Sequence, residues 1–213
     1  MTVDSDGSAL LLIDIQPDFM PGGALAVGGG DEIVAPIRKL MNAGRFGLHV
    51  ATQDWHPPGH ISFASAHSGK KPFDAIELYG HDQTLWPDHC IQGSDGAELH
   101  HGLPLDMVSA IIRKGADPAV DSYSGFRDNW NPRGERPVTG LAGYLRERGV
   151  EEVYLCGLAR DVCVAWSAKD AAAEGFHSRL LWDLTRPVDP ASDDGVRADL
   201  TAAGVEIVTS DDL

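Results

Sequence analysis

Six short, nearly uninterrupted apolar runs constrain this chain more than any other feature. They are "ALLLID" (9–14), "GLHVATQD" (47–54), "MVSAIIRK" (107–114), "EEVYLCGL" (151–158), "SRLLWDL" (178–184) and "VEIVTS" (205–210). A strand apolar on both faces must be covered on both faces, which is the condition of a parallel sheet between helical layers. Helical patterns fall between the runs at 31–43, 138–148, 161–174 and 191–203, the last opening on Ser and Asp and stopping at Gly204. Strand and helix in alternation predict βαβ units with right-handed crossovers. The expected fold is α/β, a three-layer sandwich of a mostly parallel six-stranded sheet with helices on both faces. At 213 residues, a single domain (1–213) with a sizeable core is expected. Two stretches break the rhythm, at about 54–106 and 115–136. Loops of that length in a compact domain build sites, and the first is read as a metal-site insertion.

Open parallel sheets bind ligands beyond the carboxyl ends of their strands. Four runs end in, or lead directly to, a reactive side chain: Asp14, Asp54, Lys114 and, through "GLARD", Cys163. Any one of these alone is explained by a strand emerging into water. Four on one edge are not. Cys156 lies inside its run and reads as a buried hydrophobe. Cys163 falls in the first turn of the following helix, where free N–H groups and the helix dipole favour a thiolate. Lys114 is placed to lower that thiol's pKa further. Asp14, if burial raises its own pKa, is placed to take the proton. Cys163 is therefore the nucleophile candidate.

A second constellation is "QDWHPPGH" with the later "LWPDHC". Asp54 and His56 are two residues apart and leave an extended segment on the same face. His60 follows a Pro-Pro-Gly turn, and His89 comes from the far end of the same loop. Asp and His donors suit a borderline divalent metal such as Zn, Fe or Mn. Asp-x-His is weak by itself, but Trp55 and Trp86 beside it supply walls for an apolar pocket. His67, His81, His100 and His101 lack such a context and are assigned to the surface. "AVGGGDE" (26–32) does not follow the first strand with the GxGxxG spacing, so a dinucleotide site is rejected. The metal donors and the thiol arise from separate segments and are expected to be separable in function.

A net charge of −15 argues against nucleic acid or an anionic membrane as partner. No basic-then-apolar leader and no apolar run of membrane-spanning length is visible. Three cysteines without CxxC spacing fit free thiols in a reducing cytoplasm.

With these residues in view, the chain resembles the isochorismatase-like cysteine hydrolases, and among them the nicotinamidases. The resemblance rests on "LLLIDIQPDFMPGGALAV", "ATQDWHPPGHISFA", "LWPDHCIQGSDGAELH", "IIRKGADPAVDSYSGF" and "LCGLARDVCV", which follow in family order over most of the chain. It implies a catalytic triad of Asp14, Lys114 and Cys163, and one divalent metal, zinc first, on Asp54, His56 and His89. His60 stands where some members use a further ligand and others do not. It implies a cis peptide between Leu158 and Ala159, an oxyanion hole at the backbone N–H groups of Ala159 and Cys163, and a substrate pocket walled by Phe19, Trp86 and Tyr123. Arg160 stands where the family commonly has a residue such as Thr. The implied activity is hydrolysis of nicotinamide to nicotinate and ammonia through a thioester, in NAD salvage, in a cytoplasmic enzyme compatible with homo-oligomer formation. The alternatives are a related amidase acting on another small amide, or a metal-binding or thiol-sensing protein without turnover.

Overall fold

Each apolar run becomes a strand because both of its faces find a helical layer. The computed structural model describes Val3 and residues 5–213. β1 (Ser8–Ile13) is buried at every residue. Leu10 and Leu12 pack on one side of the sheet, Ala9, Leu11 and Ile13 on the other. β6 (Glu152–Leu158) divides the same way, with Tyr154 and Cys156 on the first side and Val153 and Leu155 on the second. Full burial of each such Leu stabilises by about 1.5–3 kcal/mol.

β1, β2 (Leu48–Asp54), β5 (Ala110–Lys114), β6, β7 (His177–Arg186) and β8 (Glu206–Val208) form one six-stranded sheet in the order β5-β2-β1-β6-β7-β8. Every neighbouring pair in it is parallel. α1 (Val34–Asn42) covers the first face through Val34, Ile37, Leu40 and Met41. α2 (Leu141–Arg146), α3 (Ala165–Ala173) and α4 (Asp193–Ala202) cover the second. α3 packs against it through small residues, Ala165, Ser167, Ala168 and Ala171. The chain winds outward from β1 in both directions, so the β1/β6 boundary is the point where strand order reverses and ligands bind.

Several boundaries differ from the sequence reading. β5 begins at Ala110 rather than 107, because Leu105–Met107 closes a 3-10 turn after Pro104. α3 starts at Ala165, because Arg160–Val164 is wound as a π-helical turn. α2 is shortened to Leu141–Arg146, entered through Gly140 at φ 95°. The long loop also holds an antiparallel hairpin that periodicity missed, β3 (Ala75–Leu78) and β4 (His81–Thr84). Its two-residue turn, Tyr79 and Gly80, has positive φ at both positions, the geometry that matches strand twist in a tight hairpin. No described helix is long and apolar enough to cross a membrane.

Candidate active site

The parallel register carries four strand ends to one place. Asp14 follows β1, Asp54 closes β2, Lys114 closes β5 opposite Asp54, and Cys163 lies in the turn after β6. Asp14 takes φ 46°, a left-handed conformation that Asp tolerates better than most side chains, and so leaves the strand's alternation at the sheet edge. Thr52, two residues before Asp54, secures it twice: its hydroxyl donates to Asp14 Oδ1 at 2.6 Å and accepts the Asp14 N–H at 3.1 Å. Asp14 Oδ2 is left toward Lys114, whose Nζ stands 2.9 Å away.

Lys114 is the hub. Its wholly buried ammonium lies 2.6 Å from Asp54 Oδ1, 3.0 Å from the Ser122 carbonyl and 3.5 Å from Cys163 Sγ. A buried cation is tolerable only when paired in this way. Burial opposes the charge, but Asp14 and Asp54 together win and hold the Lys114 pKa well above its ordinary value. Burial raises the Asp14 carboxyl, outweighing the attraction of Lys114. Burial also works to raise Asp54, but Lys114 and His56 overcome it and hold that carboxyl well below the usual range.

The thiol departs from the sequence reading. Lys114 does favour the Cys163 thiolate, as expected, yet burial outweighs it and the net shift is well upward. The helix-start argument took an exposed first turn for granted, whereas Cys163 is almost fully buried. Burial thus favours the neutral form of both the Cys163 thiol and the Asp14 carboxyl. Cys156 faces the α1 side of the sheet, donates weakly to the Leu11 carbonyl at 3.6 Å and is pushed up by burial alone apart from a lesser contribution from Asp183.

Asp54 is shared. While Oδ1 holds Lys114, Oδ2 faces His56 Nε2 at 3.4 Å and His89 Nε2 at 3.6 Å. Both rings are oriented from behind, His56 Nδ1 by the Gly115 carbonyl at 2.9 Å and His89 Nδ1 by the Pro87 carbonyl at 2.7 Å. With Nδ1 donating to a carbonyl, each ring in its neutral form has Nε2 free as a metal donor on the side of Asp54 Oδ2. Three acceptor atoms converging with backbone carbonyls behind the imidazoles fit a divalent cation. Gly115 is required here: it has φ 64°, and a Cβ would overlap the His56 ring.

His60 is arranged differently. Its Nε2 faces the Asp117 and Val120 carbonyls at 3.0 and 3.2 Å, and its Nδ1 meets Ser62 Oγ at 2.8 Å. Its ring packs 4.3 Å from that of His56, and it groups with His56 and Asp121 rather than with Asp54 and His89. Among the histidines assigned to the surface, His81 instead stacks on Trp130 at 3.8 Å, and His67 Nε2 contacts the Ile61 carbonyl at 2.7 Å.

One narrow pocket is lined by residues of both clusters. Asp54, His56, His89, Ala159 and Cys163 all line it, together with Phe19, Trp86 and Tyr123. Trp86 Nε1 donates to the Tyr123 hydroxyl at 3.3 Å, and the two rings meet edge to face at 6.1 Å. The Leu158–Ala159 peptide is cis. Gly157 before it admits no side chain, since a Cβ would collide with the Ile13 carbonyl of β1.

The Isochorismatase domain model matches residues 8–212. The chain belongs to this family. The nicotinamidase of Acinetobacter baylyi is 45% identical over 207 residues, covering 97% of this chain and 94% of its own. A solved Acinetobacter baumanii nicotinamidase pyrazinamidase superposes with a TM-score of 0.92 at 43% identity, covering 98% and 99% of the two chains. The pyrazinamidase of Pyrococcus horikoshii, solved in complex with zinc, superposes with a TM-score of 0.76 at 36% identity, covering 95% of this chain and all of that one. As a member of the isochorismatase family this chain has an amidohydrolase's fold, and its converging donors together with the zinc-bound neighbour support a divalent metal.

Sequence reasoning did not find the residues that support these groups. Thr52 and Gln16 are the main ones. The Gln16 side chain accepts the Asp54 N–H at 2.8 Å and donates to the Asp54 carbonyl at 2.9 Å, clamping the shared aspartate by its main chain. Each lies two residues from a residue already singled out, Thr52 from Asp54 and Gln16 from Asp14. That spacing is the one signal available.

Proposed function

We propose that the protein is a metal-dependent nicotinamidase that converts nicotinamide to nicotinate and ammonia in NAD salvage. The observation that carries this reading is one pocket lined both by the Cys163 thiol and by the Asp54, His56 and His89 donors, with Lys114 reaching Cys163, Asp14 and Asp54. A flat ring with a nitrogen and a carboxamide can present one group to each set of residues. Phe19, Trp86 and Tyr123 enclose the ring.

Cys163 attacks the carboxamide carbon while Asp14 accepts the thiol proton. The carbonyl oxygen becomes an oxyanion received by the backbone N–H groups of Ala159 and Cys163. Asp14 returns its proton to the amine as the C–N bond breaks, ammonia leaves, and a thioester remains. Water adds to the thioester with Asp14 again as base; nicotinate departs and the thiol is regenerated. Lys114 stays charged throughout and stabilises thiolate and carboxylate by its field. Asp54, His56 and His89 would hold a divalent ion, zinc by the donor set, which would supply a Lewis acid toward the ring nitrogen. The thiols of Cys90, Cys156 and Cys163, all free, suit a reducing cytoplasm.

The test is ammonia release, coupled to a spectrophotometric readout, from nicotinamide, pyrazinamide and several aliphatic amides. Turnover of nicotinamide ahead of the aliphatic amides is expected. Activity confined to another amide would move the assignment to a related amidase, and inactivity on all of them would end it.

A further inference from the structure

Arg160 begins the turn that carries the nucleophile, yet its side chain points away from the pocket. Only 7% of that side chain is exposed. Its Cζ lies 4.0 Å from the centre of the Trp182 ring on β7, and its Nε lies 3.3 Å from Asp193 Oδ1 at the start of α4. Arg197, one turn further along α4, places its own Cζ 3.5 Å from the same indole. The next residue of the turn reaches the same segment: the Asp161 carboxylate accepts the Val188 and Asp189 N–H groups at 2.9 Å each and the Ser192 hydroxyl at 3.3 Å. Val188 is itself a pocket wall. Two consecutive side chains therefore tie the nucleophile turn to both ends of the connection between β7 and α4.

A buried guanidinium is an expensive way to fill space, since an apolar side chain of similar volume stabilises as well or better. The pairing here is also imperfect, because Arg160 Nε and Asp193 Oδ1 are buried without an aligned hydrogen bond. What an ion pair and a stacked guanidinium provide, and an aliphatic chain does not, is direction. We propose that Arg160 is a positioning residue: closed on Trp182 and Asp193, it holds the Ala159–Cys163 backbone in one place and thereby keeps Cys163 Sγ at its distance from Lys114. It touches neither substrate nor metal.

The inference rests on the nicotinamidase reading for its catalytic arm, while its thiol arm needs no substrate. Arg160→Met, Asp193→Asn and the double variant are compared with wild type as full-length, metal-loaded protein. Three quantities are measured: kcat and KM for nicotinamide, the rate of Cys163 alkylation by iodoacetamide, and Tm. Displacing reacting atoms by a fraction of an ångström to 1 Å is expected to lower kcat about 10- to 100-fold. KM should stay within about twofold, and alkylation should slow alongside kcat. Asp193→Asn should give a smaller loss of the same kind, and the double variant should be no worse than Arg160→Met, as expected of two residues acting through one contact. Asp193→Asn is nearly isosteric at a partly exposed position, so it carries the test if Arg160→Met fails to fold. Wild-type kcat and alkylation in the folded variants would overturn the proposal, whatever happens to Tm. Additive losses in Tm without a change in alkylation would overturn it too, by reducing Arg160 to packing. Wild-type protein inert toward nicotinamide would defeat the functional reading instead, and the alkylation contrast would still decide the role of Arg160.

Discussion

Replacing Lys114 with Met keeps the length and most of the volume of the side chain and removes the charge that four groups share. The nearest consequence falls on the thiol. At the 3.5 Å separation of Nζ and Sγ, and at the effective dielectric of about 20 that suits buried sites, the lost attraction is about 5 kcal/mol. Its loss pushes the Cys163 thiol further up, in the direction burial already drives it, and water entering beside Met would soften the effect. The second consequence falls on Asp14 and Asp54, which are left facing each other without a cation. Breaking a buried pair from one side costs about 3–5 kcal/mol. The sign of the pH dependence follows from Asp14, whose pKa already lies above the ordinary 3.8 through burial and rises further once Lys114 is gone. A carboxyl whose folded pKa exceeds its unfolded value stabilises the fold when protonated. That stability is complete below the unfolded pKa and is lost as pH rises through the folded one. Lys114→Met should therefore melt below wild type at neutral pH and regain part of the gap on acidification. Ammonia release should nearly vanish, and iodoacetamide alkylation near pH 7.5 should slow by about tenfold or more. The assays are a melting series across pH and alkylation followed by mass. Wild-type alkylation kinetics in a folded Lys114→Met variant would refute the hub assignment, because no buried thiol 3.5 Å from an ammonium can be indifferent to it.

Cys156 on β6 and Cys163 in the turn after it should separate cleanly. Cys163→Ala should abolish ammonia release, whereas Cys156→Ala, which removes only a packed thiol on the α1 side, should retain most of it and lose about 1 kcal/mol or less of stability by denaturant titration. Gly115→Ala should press on the His56 ring and disturb the carbonyl that orients it. Metal affinity by competition with a chromophoric chelator is expected to fall about 10- to 100-fold; unchanged affinity would mean that the ring shifts freely. Stripping the metal should lower ammonia release by about 100-fold and also slow Cys163 alkylation to a lesser extent, since Asp54 then holds Lys114 with its full charge. Add-back of Zn, Mn or Fe with both readouts side by side checks this, and alkylation indifferent to metal would show that the two clusters are independent after all.

What the sequence reveals and what it hides differ in kind. The sheet was legible because burial on both faces leaves an apolar run, and the runs at 9–14 and 151–158 need no partner to be recognised. The hairpin at 75–84 was not, since "AIELYGHDQT" is half exposed and alternates with little contrast; its signal was the Tyr79-Gly80 turn. Side chains at strand ends were legible as an edge, but not which neighbours they would meet, because that depends on strand order. Asp54 shows the difference. Read along the chain, it belongs to "QDWH" and to a metal, while Cys163 lies more than a hundred residues away, and the two functions look separable. With β2 set between β5 and β1, one oxygen of Asp54 meets Lys114 and the other meets His56 and His89. The carboxylate proposed as a metal ligand is thus also a counter-ion of the lysine that stands 3.5 Å from the thiol. Gln16, reaching across from the segment after β1, fixes that carboxylate by its own backbone. The coupling of the two sites is a property of the sheet's winding order, which no local pattern encodes.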